Sequence, residues 1–438
     1  MENSHQKLDF SVKSLRRPLK SHFTDSWGPP QFTNWVDESM SWKETCYLGD
    51  WTFLDALKYT GPDVLKLFAD TSVNTMQNFE IGQSKHVIHC NEDGKIIEEG
   101  ILSRFGENEY VAFSMYWADH VRRQGNYDVN PPELLPLTKF HLQGPNALFV
   151  LEKVANESLR DLKFMRFRKI QIAGHEVIAL RQGMSGEIGF ELQGPLEHRE
   201  EIWNAIFEAG QEFGIRQMGG RVAMINHLEA NYPTNALDYL PAIFDENNSA
   251  YLGEMFTNYK ELFDYYFRVA GSYDSSSVAD WYRSPVELGW GNRIKFDHDF
   301  IGAEALRKEL AEPRRRIATL VWNSEDVVDL YASFFRKGEP LPDFMELPRD
   351  PRGYVYADKV MKDGKLVGMT TSRGYSAYFR EMISLCVIDL DQHAPGTQVT
   401  VIWGNPGTPQ REIRATVAPA PYKTDRGRVD FATLPSYR

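Results

Sequence analysis

The chain has 438 residues, more than one hydrophobic core usually serves, so about two or three domains are expected. Its hydrophobic content of 42% and charged content of 25% are ordinary for a globular protein, and no apolar run is long enough to span a bilayer. A net charge of −12, from 49 basic and 61 acidic residues, argues against a nucleic-acid backbone as partner. Cys46, Cys90 and Cys386 are far apart, show no metal-ligand spacing and read as reduced thiols. The start, Met1-Glu2-Asn3-Ser4-His5-Gln6-Lys7, lacks the apolar stretch of a secretory leader, so a cytoplasmic location is expected.

Taken in chain order, residues 1–40 read as irregular, with Pro29-Pro30 inside them. Ala56-Leu57-Lys58-Tyr59 is strand-like and leads into Gly61-Pro62, where Pro is expected at the first helical position. The same order recurs at Lys139-Phe140-His141-Leu142 and Gly144-Pro145, which predicts two related α+β layers. Between them, strands are expected at 86–90, 96–102 and 110–113, and a helix-like stretch runs from Trp117 to Gln124. Glu98-Glu99 lies in the second of these strands. If both carboxyls are buried, one should have a raised pKa and could act as an acid.

Another strand is expected at 176–180. Met184-Ser185-Gly186-Glu187-Ile188-Gly189-Phe190-Glu191-Leu192 follows, with two glycines leading into a short apolar strand that carries one carboxylate. Such a carboxylate can accept two parallel N–H bonds from the amino-pyrimidinone edge of a planar ligand; the same spacing also suits a plain turn. A helix is predicted over about 195–213, with Ile202, Ile206 and Phe213 on one face and Gly214 as its stop. The aromatic stretch 244–284 has no clean period and reads as an insertion near a pocket. Strands at 316–322, 365–370, 397–403 and 412–417, joined by Gly/Pro-rich turns, predict a small β-barrel or sandwich at the end.

Several motifs then stand in a fixed order: Leu142-Gln143-Gly144-Pro145; Ser185 to Glu191; Gly220-Arg221 with Leu228-Glu229; Glu287-Leu288-Gly289-Trp290 running to Phe300-Ile301-Gly302; and Val367 to Ser376. Together they resemble the glycine-cleavage T-protein (aminomethyltransferase) superfamily over nearly the whole chain. Lys295 to Gly302, Tyr331-Ala332-Ser333 and Glu208 to Gly214 look most like its tetrahydrofolate-dependent aryl O-demethylases and methylenedioxy-cleaving methylenetransferases. The resemblance implies an α+β, three-domain ring around a central folate, with residues 1–310 forming the folate-binding region and 311–438 a β-barrel domain. It also implies transfer of a one-carbon unit from an aromatic small molecule to tetrahydrofolate.

Residue by residue, Glu191 falls on the carboxylate that holds the pterin. Arg221 falls on an arginine that could bind substrate or folate, or cap a helix. Glu99 stands where the T-protein has an aspartate near the folate's reactive nitrogen. The candidate cofactor set is therefore Glu191, Arg221, His86 and Gly189, and the candidate catalytic set is Glu99, Glu98, Tyr232 and His227, with no metal expected. The departures concern the substrate end. The arginine that grips the substrate carboxylate in vanillate-type enzymes has no counterpart in Val111 to Tyr116, their proton-donor tyrosine is replaced by Ala223, and their pocket histidine falls near Phe53 or Leu54. A buried benzoate without such a clamp would be costly to desolvate, so a neutral or bulky ether is expected, such as a methylenedioxy lignan like sesamin or a methoxy-arene. An enzyme acting on a small amine or sulfonium compound, and a non-enzymatic folate-binding protein, remain open alternatives.

Overall fold

A computed structural model describes residues 11–16, 23–244, 247–258 and 267–436; parts of the 1–40 and 244–284 readings lie outside these. Two sheets and a barrel carry the architecture. The first is a six-stranded sheet in the order Ile215–Gln217, Cys46–Asp50, Phe140–Gln143, Gly189–Gln193, His175–Leu180, Phe167–Ile172. Its first pair is parallel and the rest antiparallel. The second is a five-stranded antiparallel sheet in the order Ser84–Cys90, Ile96–Arg104, Glu109–Phe113, Ala56–Thr60, Glu133–Leu135. The third is a closed six-stranded antiparallel barrel starting at Arg315. The α+β class and the terminal barrel thus follow the expectation.

The two-layer repeat has a physical basis. Gly61 and Gly144 adopt φ of 137° and 132°, and a Cβ at either would lie 2.4 Å from the Asp128 carbonyl or 2.6 Å from that of Thr45. Each glycine therefore lets one backbone pass directly behind another. The helices that follow, Val64–Thr71 and Ala147–Ala155, begin later than expected: Asp63 and Asn146 are the N-caps, and Pro62 and Pro145 precede them. The predicted helix at 195–213 is Arg199–Gly210 flanked by short 3-10 turns, with Gly214 left-handed at φ 72°. Ile202, Ile206 and Phe213 join one apolar core with Phe140, Leu142 and Phe190.

Residues 1–40 are less irregular than predicted. A helix spans Trp35–Glu44, capped by the Asn34 side chain, which accepts the Val36 and Asp37 N–H groups. Its buried face is mostly polar. Glu38 accepts N–H bonds from Phe32 at 2.6 Å, Thr33 at 2.8 Å and Gly219 at 2.9 Å, so no apolar period marks the helix in the sequence.

Two buried ion pairs lock the parts together. Glu229, fully buried, lies 3.0 Å from Lys43 Nζ and accepts bonds from Trp42 Nε1 at 2.7 Å and the Ser376 hydroxyl at 2.6 Å. This joins the Trp35–Glu44 helix and the short helix Ile225–Glu229 to the barrel strand Lys365–Ser376. Removing one partner of such a network leaves a buried charge uncompensated, so Glu229→Ala is expected to lower stability by about 3–5 kcal/mol, read as a drop in the thermal unfolding midpoint. After the barrel, the chain returns to the six-stranded sheet. Lys423 pairs with Glu187 at 3.1 Å, and Phe431 enters the core against Phe190. The last stretch of residues 311–438 therefore packs on the first sheet rather than on the barrel.

Candidate functional site

The six-stranded sheet turns one polar face inward. Lys139 precedes the strand Phe140–Gln143, and Lys139, His141 and Gln143 alternate with the apolar Phe140 and Leu142, so they share one face. In register, Glu191 stands opposite His141 on the neighbouring strand. Its carboxylate is only 1% exposed. Gln182 Nε2 donates to Oε1 at 2.5 Å, His141 Nε2 lies 3.5 Å from the same oxygen, and Lys139 Nζ lies 3.0 Å from Oε2. The lysine contact has ion-pair distance without hydrogen-bond geometry, and Oε2 has no hydrogen-bond partner.

The supports of Glu191 are themselves fixed. The Met184 and Ser185 N–H groups donate to Gln143 Oε1 at 3.1 and 3.0 Å, which assigns the Gln143 amide nitrogen to the side facing His141 Nδ1, 3.2 Å away. His141 then carries its proton on Nε2, towards Glu191. Burial pushes the His141 pKa well below the usual histidine range, so the ring is neutral. It stacks on Trp51 with centroids 4.0 Å apart. Gly189 serves this packing: a Cβ there would lie 2.8 Å from Gln143 Cγ.

Glu191, Lys139 and Gln182 line one end of a cavity of about 320 Å³. Glu98, Glu99, His227 and Tyr232 line it too, so it gathers most of the predicted site residues. The remaining walls are largely apolar and aromatic, among them Trp27, Phe53, Leu54, Phe113, Ile243 and Phe267. Phe53 and Leu54 are the positions expected near a pocket histidine, and Tyr251, Met255 and Phe267 bring the 244–284 segment to the wall as expected.

The two adjacent glutamates do different things. Glu98 accepts the N–H groups of Tyr116 at 2.8 Å and Trp117 at 3.0 Å, at the start of the helix Trp117–Gln124. Burial nonetheless raises its pKa to about 8. Glu99 makes a short hydrogen bond to Nε2 of His86, its diagonal neighbour across the strand pair. Burial raises the Glu99 pKa to about 8 as well, against the pull of Lys139. His86 does not line the cavity itself and packs edge-on against Trp290 at 5.1 Å.

Tyr232 sits beside both histidines, 5.9 Å from the His86 ring and 6.0 Å from that of His227. Burial holds its phenol well above the usual tyrosine pKa, so it stays protonated. Burial lowers the His227 pKa to about 4. Its Nδ1 faces two acceptors, Asn226 Oδ1 at 2.7 Å and the Ala223 carbonyl at 3.3 Å, leaving an unprotonated Nε2 towards Met184 Sδ at 3.3 Å. Neutral in that tautomer, His227 has no proton to offer the cavity near neutral pH.

Arg221 lies elsewhere. It is exposed, donates to the Leu347 carbonyl at 3.0 Å and lines a neighbouring hollow with Arg349, Asp350 and Glu346; this hollow shares Met224 with the cavity. Ala223 is fully buried in a core cluster with Trp42 and Tyr47 and does not line the cavity. Arg122 and Arg123 bind Asp119 and Glu254 rather than the cavity. Among the described residues one group has metal-ligand spacing, His175, His198 and Glu201, with ligand atoms within 4.8 Å of one another. It lies outside the cavity on three different elements, beyond any local sequence motif.

A family model described as the GCVT N-terminal domain matches residues 12–243. The chain belongs to the GCVT (aminomethyltransferase) family. Its GCVT relatives include a sesamin methylene transferase of a Sinomonas species, 35% identical over 425 residues and covering 93% of each chain. A syringate O-demethylase of a Sphingobium species is 33% identical over 420 residues, covering 90% of this chain and 89% of its own length. An aminomethyltransferase of Halothermothrix orenii is 25% identical, covering 90% and 93%. Among solved structures, the glycine cleavage system aminomethyltransferase T of Bartonella henselae matches with a TM-score of 0.66 at 17% identity, covering 94% and 96%, a likeness of fold. The chain is thus an enzyme of the GCVT family, a tetrahydrofolate-dependent methyl or methylene transferase. The cavity suits that cofactor, because a buried carboxylate with one oxygen lacking a hydrogen bond lines its polar end.

Proposed function

We propose that this enzyme takes a methyl or methylene carbon from a neutral, bulky aromatic ether, such as a methoxy-arene or a methylenedioxy lignan like sesamin, and passes it to tetrahydrofolate. One observation carries the reading: Glu191 and a large apolar, aromatic wall share a single cavity of about 320 Å³. The names of the two relatives at 33–35% identity point the same way. Neutrality is supported by the cavity lining, which among the described residues includes no arginine and whose cation Lys139 already faces Glu191 at 3.0 Å, so a substrate carboxylate would find no counter-charge there.

In this reading Glu191 accepts paired N–H bonds from the pterin edge, oriented by Gln182, His141 and Lys139, while Gly189 keeps the backbone close to Gln143. Arg221 is a candidate for a more distant cofactor contact through the neighbouring hollow. Tetrahydrofolate, when bound, supplies the nucleophilic nitrogen that accepts the carbon. The departing phenolate needs a proton, because a phenol's pKa of about 10 makes its anion a poor leaving group at neutral pH. Glu99, protonated near neutral pH and bonded to His86 through Oε2, supplies it from its other oxygen, Oε1. The Tyr232 hydroxyl, to which no described residue hydrogen-bonds, adds a second donor.

The test is to incubate the protein with tetrahydrofolate and a panel of methoxy- and methylenedioxy-arenes, following folate species by mass spectrometry. Methyl- or methylene-tetrahydrofolate is expected with at least one neutral ether. Formation of neither with any arene sinks the reading.

A further inference from the structure

We propose that the cavity holds a hydroxyl-reading subsite built on Asp55 and Tyr116, so that the preferred aryl ether carries a free phenol or alcohol and no carboxylate. The inference rests on the aryl-ether reading above and narrows its substrate class to hydroxyl-bearing ethers, which ranks a lignan without a hydroxyl, such as sesamin itself, below a phenol-bearing one. Asp55 ends the wall segment Trp51 to Leu54 and precedes the strand Ala56–Thr60. Tyr116 stands in the turn between the strand Glu109–Phe113 and the helix Trp117–Gln124. Both line the cavity, as do Ser114 and the apolar Phe53, Leu54, Ile101 and Phe113.

The acidic group is built in, not loosely placed. Ser114 N–H donates to the Asp55 carbonyl at 2.7 Å, and the Asp55 N–H donates to Ser114 Oγ at 3.1 Å. Ser114 holds this reciprocal pair at φ 50°, a left-handed conformation that costs a non-glycine residue about 1 kcal/mol or more. The Tyr116 hydroxyl makes a short hydrogen bond to Asp55 Oδ2. Asp55 Oδ1 has no hydrogen-bond partner among the described residues. One carboxylate oxygen is therefore fixed by the protein and the other is free for a ligand.

An acceptor among apolar walls discriminates strongly. A ligand O–H satisfies it; an arene without a donor desolvates it and gives nothing back. A ligand carboxylate would add a negative charge beside Asp55. Lys139, the cation among the described residues that line the cavity, does not offset this: it lies 3.0 Å from Glu191 Oε2 and 4.0 Å from the Phe113 ring centroid. His227 is neutral, and Tyr232 and Tyr251 add no charge.

Three probes test the subsite on the full chain: 2-methoxyphenol, methoxybenzene and 4-hydroxy-3-methoxybenzoate. Binding is read by quenching of intrinsic tryptophan fluorescence, since Trp27 and Trp51 line the cavity, and transfer by mass spectrometry of the folates. The wild type is expected to favour 2-methoxyphenol over methoxybenzene by at least about tenfold. Asp55→Leu should bring that ratio near one, and Asp55→Asn should raise the benzoate relative to 2-methoxyphenol by about tenfold. A wild-type ratio near one, or a ratio unchanged in an Asp55→Leu protein that still binds tetrahydrofolate, overturns the inference. Should Asp55→Leu fail to fold, the benzoate shift in Asp55→Asn decides: its absence overturns the inference. A donor preference in binding without any one-carbon folate would sink the transfer reading and leave the subsite standing.

Discussion

Glu191→Gln is expected to weaken tetrahydrofolate binding by at least ~100-fold while leaving the fold in place, measured by direct titration beside a thermal melt. The size follows from charge-assisted hydrogen bonds, each worth about 1.5–3 kcal/mol, of which the carboxylate can accept two from a pterin edge. The choice of glutamine follows from the surroundings. Glu191 is the counter-charge of Lys139, and both are almost wholly buried. Either neutral replacement strands the ammonium, but Glu191→Ala also empties the site and removes every acceptor, so its lost binding could not be told from a lost fold, whereas glutamine keeps the volume and an amide oxygen. A double change, Glu191→Gln with Lys139→Met, removes the stranded charge and should recover the melting temperature without recovering affinity. Unchanged affinity in Glu191→Gln ends the pterin assignment for this residue.

Parts of this site were legible in the chain because they repeat a period or a turn. The strand carrying Glu191 follows glycines whose spacing forced a bend, and the core of the Arg199–Gly210 helix follows its 3.6-residue spacing. Lys139, His141 and Gln143 were missed as site residues although their alternation was readable: polar residues at every second place in a strand flanked by apolar ones imply a polar face inside the fold. What no local pattern could give is pairing across the chain. Asp55 meets Tyr116, His86 meets Glu99 and Lys43 meets Glu229 only after the sheets and the barrel have closed. The barrel strand Glu381–Asp389 was missed for a different reason. Met382 to Ile388 are all buried, so the strand shows no alternation to read. Sequence order also placed Arg221 and Glu191 in one motif series, yet the structure opens Arg221 onto a separate hollow.

Glu99 should set the alkaline side of the pH–rate profile. With its pKa raised to about 8 by burial, it holds a proton at pH 7 and loses it as the pH climbs. Transfer is therefore expected to fall above about pH 8, and Glu99→Gln should cut kcat by about 10²–10⁴-fold and abolish that limb. Tyr232→Phe should lower the rate without moving the limb, because its phenol titrates far above this range. Stability gives a second, independent readout. A carboxyl whose folded pKa lies above its unfolded value binds extra protons in the native state between those values. Its stabilisation is complete below the ordinary glutamate range, near pH 4.5, and is lost as the pH rises through about 8. The unfolding midpoint of the wild type should thus decline between about pH 4.5 and 8 and level off above, and Glu99→Gln should flatten that decline in part, Glu98 accounting for the rest. A wild-type rate profile with no limb between pH 7 and 9 removes Glu99 as the acid. A limb that survives in Glu99→Gln would transfer the role to another group lining the cavity, with Glu98 first to be tested by the same pair of measurements.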